Sequence, residues 1–273
     1  MPAPAMTPAH MTRALAAVTT REVVKFVHQR GRLLSALVRP LLWLVVVGAG
    51  FRTALGGAIA PPYDAPVLYR EYAVPGLLGI VLLFHEMQSA LGMVYDREMG
   101  VMRLLLTAPL PRWYLLLCKL AAGTALSLVQ AYAFLVLSLM FDTNVPLAGW
   151  LTVLPALVAS GLMLGALGLL LSVHIRQLEN FAGTMNFVIF PMFFVSSALY
   201  PLARLHDGST AIWWLARLNP FTHAVELIRF ALYGRLAPVA ALVVVGSFIV
   251  FFLFAVLGYD PQRGLIRRAP RGA

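Results

Sequence analysis

Six runs of about 20 mostly apolar residues divide this chain, each the length an α-helix needs to cross a hydrocarbon layer of ~30 Å. They are Leu41–Ala60, Ala73–Val94, Tyr114–Phe141, Gly149–Val173, Phe181–Tyr200 and Leu236–Leu257. Of the 273 residues, 60% are hydrophobic and 12% charged, with a mean hydropathy of +0.83, whereas an ordinary soluble domain carries about 25% charged residues. So little charge cannot cover so much apolar side chain in water, which excludes a water-soluble globule and makes lipid the solvent. The sequence therefore predicts an all-α membrane protein, one domain over 1–273 with a six-span bundle at 41–257. Arg52 interrupts the first run; a long arginine near a helix end keeps its head at the interface while its stem stays in the span.

The net charge of +10 would suggest nucleic acid in a soluble chain. Here most of the Lys and Arg residues precede span one, lie between spans two and three, or follow span six, the pattern of cytoplasmic segments. This predicts both termini cytoplasmic and no nucleic-acid partner. The basic amphipathic stretch 19–39 is expected to lie on the membrane, with Val23, Phe26, Val27 and Leu33 in the headgroup layer and Lys25, Arg30 and Arg32 reaching lipid phosphate. Residues 258–273 read as a basic cytoplasmic tail, and the first 40 residues lack the pattern of a removable signal peptide. One cysteine, Cys118, excludes an internal disulfide and any multi-cysteine metal site.

The connections carry the next clues. From Arg97 to Thr107 the spacing predicts a short helix with Met99, Met102 and Leu106 on one stripe, stopped by Pro109 and Pro111. Methionines adapt to a partner's groove, and Asp96, Arg97, Glu98 and Arg103 add a mixed-sign rim suited to docking a protein, the alternative being a solvated turn. In His174–Asn180, Arg176 and Glu179 stand at i,i+3, which predicts a helical surface pair of roughly 0.5 kcal/mol or a second small contact. The long connection Pro201–Arg235 holds two apolar pieces, Ala211–Leu218 and Phe221–Tyr233, parted by Asn219-Pro220. Each is too short to span, and Trp213, Trp214 and Tyr233 suit interfacial or re-entrant helices. Glu226 and Arg229, again at i,i+3, are expected to pair.

Within the spans, Gly161 and Gly165 form a GxxxG pattern, followed by Gly168, that lets a helix approach closely, either within the chain or between copies. Pro191 should kink span five. His85, Glu86 and Gln88 are candidates for a substrate path: ten residues back from Asp96, Glu86 lies roughly 15 Å deep. A charged carboxylate there costs a few kcal/mol, so Glu86 lines a cleft, relays protons, or is satisfied inside the bundle by a neighbour such as Ser89.

No GxxxxGK[ST] phosphate loop occurs, so any ATP energy has to come from a partner and no cofactor is expected in this chain. HExxH and GxSxG are absent, and none of the six histidines is paired at metal-ligand spacing. No catalytic residue and no metal site is therefore expected.

The segment DREMGVMRLLLTAPLPR at Asp96–Arg112 and the pattern SSALYPL…LNPFTHAVELIR at Ser196–Arg229, with the basic N-terminus and six spans, resemble the permease subunits of type-2 ATP-binding-cassette exporters over nearly the whole chain. PGLLGIVLLF, YDREMG, RQLENFAG and GYDPQRGL look closest to permeases associated with pyrroloquinoline-quinone-dependent alcohol oxidation. The resemblance implies a half-transporter of the bacterial inner membrane: two permease chains, expected as a homodimer, with two copies of a separate ATPase subunit that binds ATP and drives export. Asp96, Arg97, Glu98 and Gly100 match the family's coupling segment, in which Arg103 also falls. Glu86 matches no family position. The rival readings are a secondary transporter driven by protons through Glu86 and a membrane scaffold of an oxidation system.

Overall fold

A computed structural model describes residues 8–28, 38–46, 62–63, 68–100, 111–141, 143, 145–175 and 177–259. Among them no strand occurs, and the helices in chain order are α1 Pro8–His28, α2 38–46, α3 Tyr69–Glu98, α4 Arg112–Ser138, α5 Gly149–His174, α6 Leu178–Phe194, α7 Leu202–Gly208, α8 Thr210–Leu218, α9 Pro220–Leu232 and α10 Pro238–Gly258. Prolines begin α9 and α10, where the missing N–H would have had no helical partner anyway.

Four of the described helices are long and apolar enough to cross a membrane: α3, α4 with its continuation to Phe141, α5 and α10. The expected span one lies largely outside the described residues, which include only 38–46 of its surroundings. Span five is shorter than its apolar run. Its helix α6 passes Pro191 and stops at Phe194, leaving 195–200 non-helical; Asn219, described below, takes up the carbonyls this leaves open. The amphipathic N-terminal helix starts earlier than expected, at Pro8 rather than near Thr19; α1 is Pro8–His28, and 29–37 of the expected stretch lie outside the described residues.

Helix α5 sits centrally, against α3, α4, α9 and α10. The GxxxG glycines serve this packing. A methyl group at Gly161 would meet Thr124 Cγ2 at 2.9 Å, one at Gly165 would run into Leu120 and Glu86, and one at Gly168 would stand 3.0 Å from Ala90 Cβ. All three face helices of the same chain, so the pattern is used for intramolecular packing, where small residues let backbones approach.

One end of the bundle carries Asp96 and the other Arg229, and side-chain contacts fix the direction of each helix between them. Arg97 reaches the last turn of α5, whereas Thr152, near the start of α5, donates to Ala231 O of α9 at 2.6 Å. Arg70, at the start of α3, donates to Phe141 O at 2.9 Å. Helices α3, α5 and α10 therefore run toward the Asp96 end and α4 and α6 away from it. Helix α1 joins the Asp96 end, where Tyr114 donates to Met11 O at 2.7 Å, and Tyr259 joins it too, accepting from Arg112 at 3.5 Å.

Candidate functional site: a charged junction and an adjoining cleft

Asp96, Arg97 and Glu98 are the last residues of the last turns of α3, each rotated about 100° from the one before. They consequently point in three directions, and each meets a different helix. Asp96 is 3% exposed and accepts from Arg21 at 2.7 Å and from Lys25 at 2.9 and 3.0 Å, both on α1. Lys119 of α4 approaches it at 3.6 Å and Glu22 at 3.9 Å. A carboxylate taken this far from water is costly unless paired, and here three cations face it. Because α1 buries no residue of its own, apolar burial contributes little to its attachment, and charge-assisted bonds of about 1.5–3 kcal/mol each become the main hold on it.

Arg97 turns the other way and donates to Ser172 O at 2.7 Å and Ile175 O at 2.6 Å, carbonyls of the last turn of α5 that lack helical partners. Glu98 accepts from the first backbone N–H of α6, at Leu178, at 2.9 Å, a position where the helix dipole favours negative charge. Right after this triplet Gly100 takes φ +73°, a left-handed conformation that stops α3 and that only glycine adopts without penalty.

Of the docking rim expected from the sequence, Asp96 is buried, Arg97 half-buried and Glu98 exposed. Arg97 and Glu98 end α3 instead of opening a separate short helix, because Gly100 breaks the helix three residues beyond Arg97. Met102, Leu106 and Arg103 lie outside the described residues. Arg176, and with it the expected pair with Glu179, does too; on either side Ile175 and Gln177 are extended, and α6 begins at Leu178. Sequence reasoning missed Arg21, Lys25 and Lys119 as the partners of Asp96; a lysine five residues past the start of span three was the available signal.

Beside this junction a cleft of about 410 Å³ runs along α3. His85, Gln88, Ser89 and Gly92, spaced three or four apart and so on one helical face, line its floor. Glu22, Lys25 and Phe26 of α1 and Leu126 and Gln130 of α4 form its walls. His85 Nδ1 lies 2.9 Å from Gln130 Oε1, and the Phe26 ring stands edge-on to the imidazole at 6.0 Å. Glu86, one residue on, faces away from this cleft. It is 2% exposed, beside Ser127 and Thr124 of α4 and against Gly123 and Gly165, and its Oε1 has no partner among the described residues. The three residues grouped by sequence thus separate into two in the cleft and one in the helix interface.

At the opposite end Arg229 is 1% exposed. It pairs with Glu226 at 2.5 Å, as the spacing predicts, donates to Ser197 O at 2.7 Å and stacks 4.1 Å over the Tyr72 ring. Tyr63 stands 4.9 Å from Tyr233, and burial raises its phenol above the ordinary value against the pull of the Arg229 charge. Asn219 caps α9 through Phe221 N at 3.0 Å and donates to Met192 O at 2.8 Å and Val195 O at 2.6 Å, closing the end of α6.

The profile of the ABC-2 type transporter family matches residues 13–233, a stretch that contains both the Asp96 junction and Arg229. The chain belongs to this family. It is 30% identical to a putative transport permease, ycf38, of Porphyra purpurea over 201 residues, 72% of this chain and 66% of the relative. Nodulation protein J of Rhizobium leguminosarum bv. viciae is 24% identical over 241 residues, 86% of both chains. The inner membrane transport permease YadH of Escherichia coli K12 is 23% identical over 261 residues, 93% of this chain and 95% of the relative. ABC-2 permeases generally pair with an ATPase subunit, and the apolar helices of this chain are those of a multi-pass membrane protein.

Proposed function

We propose that this chain is the transmembrane half of an ATP-driven exporter, working as a pair of copies on two separate ATPase subunits, with the Asp96 end cytoplasmic. The observation that carries the reading is the triplet Asp96, Arg97 and Glu98. Any force applied to the segment after Gly100 arrives at one helix end and leaves through three side chains, to α1, to the end of α5 and to the start of α6. Stiff helices then carry that displacement across the membrane. The absence of a phosphate loop supports a partner as the source of ATP energy, and the placement of α1 and Tyr259 at one end supports termini on the same side. The substrate path is proposed along the His85 and Gln88 face of α3. The interior position of Glu86, turned from the cleft, disfavours the proton-driven alternative. The likeness to permeases of alcohol oxidation supports a role beside such a system and names no cargo.

The test places spin labels at two exposed positions, Val24 on α1 and Leu218 at the end of α8, in the complex with its co-purifying phosphate-loop ATPase in nanodiscs. ATP with vanadate is expected to shift the distance between the labels, and Glu98→Lys to abolish the shift while the complex stays assembled. A wild-type shift in Glu98→Lys overturns the coupling reading.

A further inference from the structure

Glu86 is a buried carboxyl group with no counter-charge beside it. It lies ten residues along α3 from Asp96, about 15 Å, and is 2% exposed. The two buried cations among the described residues are committed elsewhere, Lys119 to Asp96 and Glu22 and Arg229 to Glu226. His85, its chain neighbour, faces the cleft and meets Gln130. What surrounds the carboxyl is oxygen. A Cβ on Gly123 of α4 would stand 3.1 Å from Glu86 Oε2 and 3.2 Å from Ser89 Oγ, so these two atoms flank one point of the seam between α3 and α4. Thr124 and Ser127 of α4 also neighbour the carboxyl. Ser127 gives its hydroxyl hydrogen to Thr124 O at 2.9 Å, which leaves it only lone pairs to offer Glu86. Thr124 Oγ1 and Glu86 Oε1 have no hydrogen-bond partner among the described residues. Helix α5 closes over the group with its two GxxxG glycines. A Cβ on Gly161 would lie 3.4 Å from Ser127 Oγ and 3.6 Å from Thr124 Oγ1, and one on Gly165 would crowd Leu120 and fall 2.6 Å from Glu86 Oε2.

A carboxylate facing lone pairs at this depth needs a positive charge, since charges taken this far from water are paired or hold a cation. One carboxylate balances one unit of charge. A divalent ion would leave a charge over, and no three His, Cys, Asp or Glu side chains gather among the described residues to hold one. Hard oxygen donors select a hard ion, and the nearness of the α5 backbone favours a small one stripped of its water. We propose that Glu86, Thr124 and Ser127, with Ser89 beside them, form a sodium-ion site that ties α3 to α4 beneath α5. The ion is a fixed counter-charge for the bundle, so the site goes beyond the export reading and does not depend on it. The test unfolds the full chain thermally in nanodiscs, in NaCl or KCl made up to one ionic strength with choline chloride. Raising Na⁺ from about 1 to about 100 mM is expected to lift the wild-type midpoint by about 5 °C or more, with K⁺ well behind. Glu86→Gln, neutral and of the same shape, is expected to unfold in choline chloride no lower than wild type and to ignore Na⁺. Thr124→Val is expected to keep the response at about tenfold higher Na⁺. A wild-type midpoint indifferent to Na⁺ means that the carboxyl holds a proton instead and overturns the site, as does an equal response to K⁺ or a full Na⁺ response in Glu86→Gln. If Glu86→Gln does not fold, Thr124→Val decides, and an unchanged half-saturating Na⁺ concentration overturns the site. The ATP-driven distance change between Val24 and Leu218 tests the export reading separately, whichever of these results is found.

Discussion

The two ends of this bundle solve the same problem, joining helices across a low-dielectric interior, with different materials. At the Arg229 end, backbone meets backbone. A Cβ on Gly76 would strike the Ala198 carbonyl, with Ala198 Cα at 2.7 Å, and one on Gly149 would strike the Leu232 carbonyl. Arg229 itself is fixed by a carbonyl and an aromatic face. At the Asp96 end every link from the last turn of α3 runs through a charged side chain, Arg97 and Glu98 to backbone groups of α5 and α6 and Asp96 to the cations of α1, and α1 has no buried residue. Backbone contacts have no alternative register, whereas ion pairs at 29–34% exposed cations can part and re-form. The difference marks the Arg229 end as the anchored one and the Asp96 end as the one built to shift.

Substitutions that attack each end sharpen this contrast. Gly76→Ala should have the largest effect, since backbone cannot yield as a side-chain tip can; a loss of about 3 kcal/mol or more is expected, visible as a collapse in folded yield and in thermal unfolding in detergent. Arg229→Met comes next at about 3 kcal/mol, because it leaves Glu226 unpaired and Tyr72 without its cation, measured by the same unfolding curves. Asp96→Asn should cost less in global stability, about 1–2 kcal/mol. It should nevertheless raise hydrogen exchange throughout Pro8–His28 with no change in α9, and protection of α1 equal to wild type would erase the distinction between the ends. Gly100→Ala should be mildest, about 1 kcal/mol, since its positive φ resists a side chain while no atom of the described residues lies within 4 Å of where its Cβ would stand.

Much of this was legible in the sequence where the deciding physics is local. Asn219-Pro220 announces a cap and a first-turn proline, and the α8–α9 boundary falls there. The glycines at 161 and 165 announce close approach, and Glu226 with Arg229 announces a pair. What could not be read depends on partners distant in sequence. The docking of α1 onto α3 and α4 turned Asp96 from an expected rim into a buried hub, 71 and 75 residues from the cations that hold it. Helical rotation does separate Glu86 from His85 and Gln88, but which side would face a cleft was set by where α4 and α5 pack. The early end of α6 was hidden because an apolar run continues through residues that fold as bends.

Asn219 ties together two stretches that the chain itself keeps 24 to 27 residues apart. With one amide serving as both the stopper of α6 and the starter of α9, neither helix can tilt alone without stripping polar atoms bare. Whatever pull reaches α6 through Glu98 is thereby handed on to the helix that seats Arg229, so a nudge at one membrane face has a mechanical address at the other.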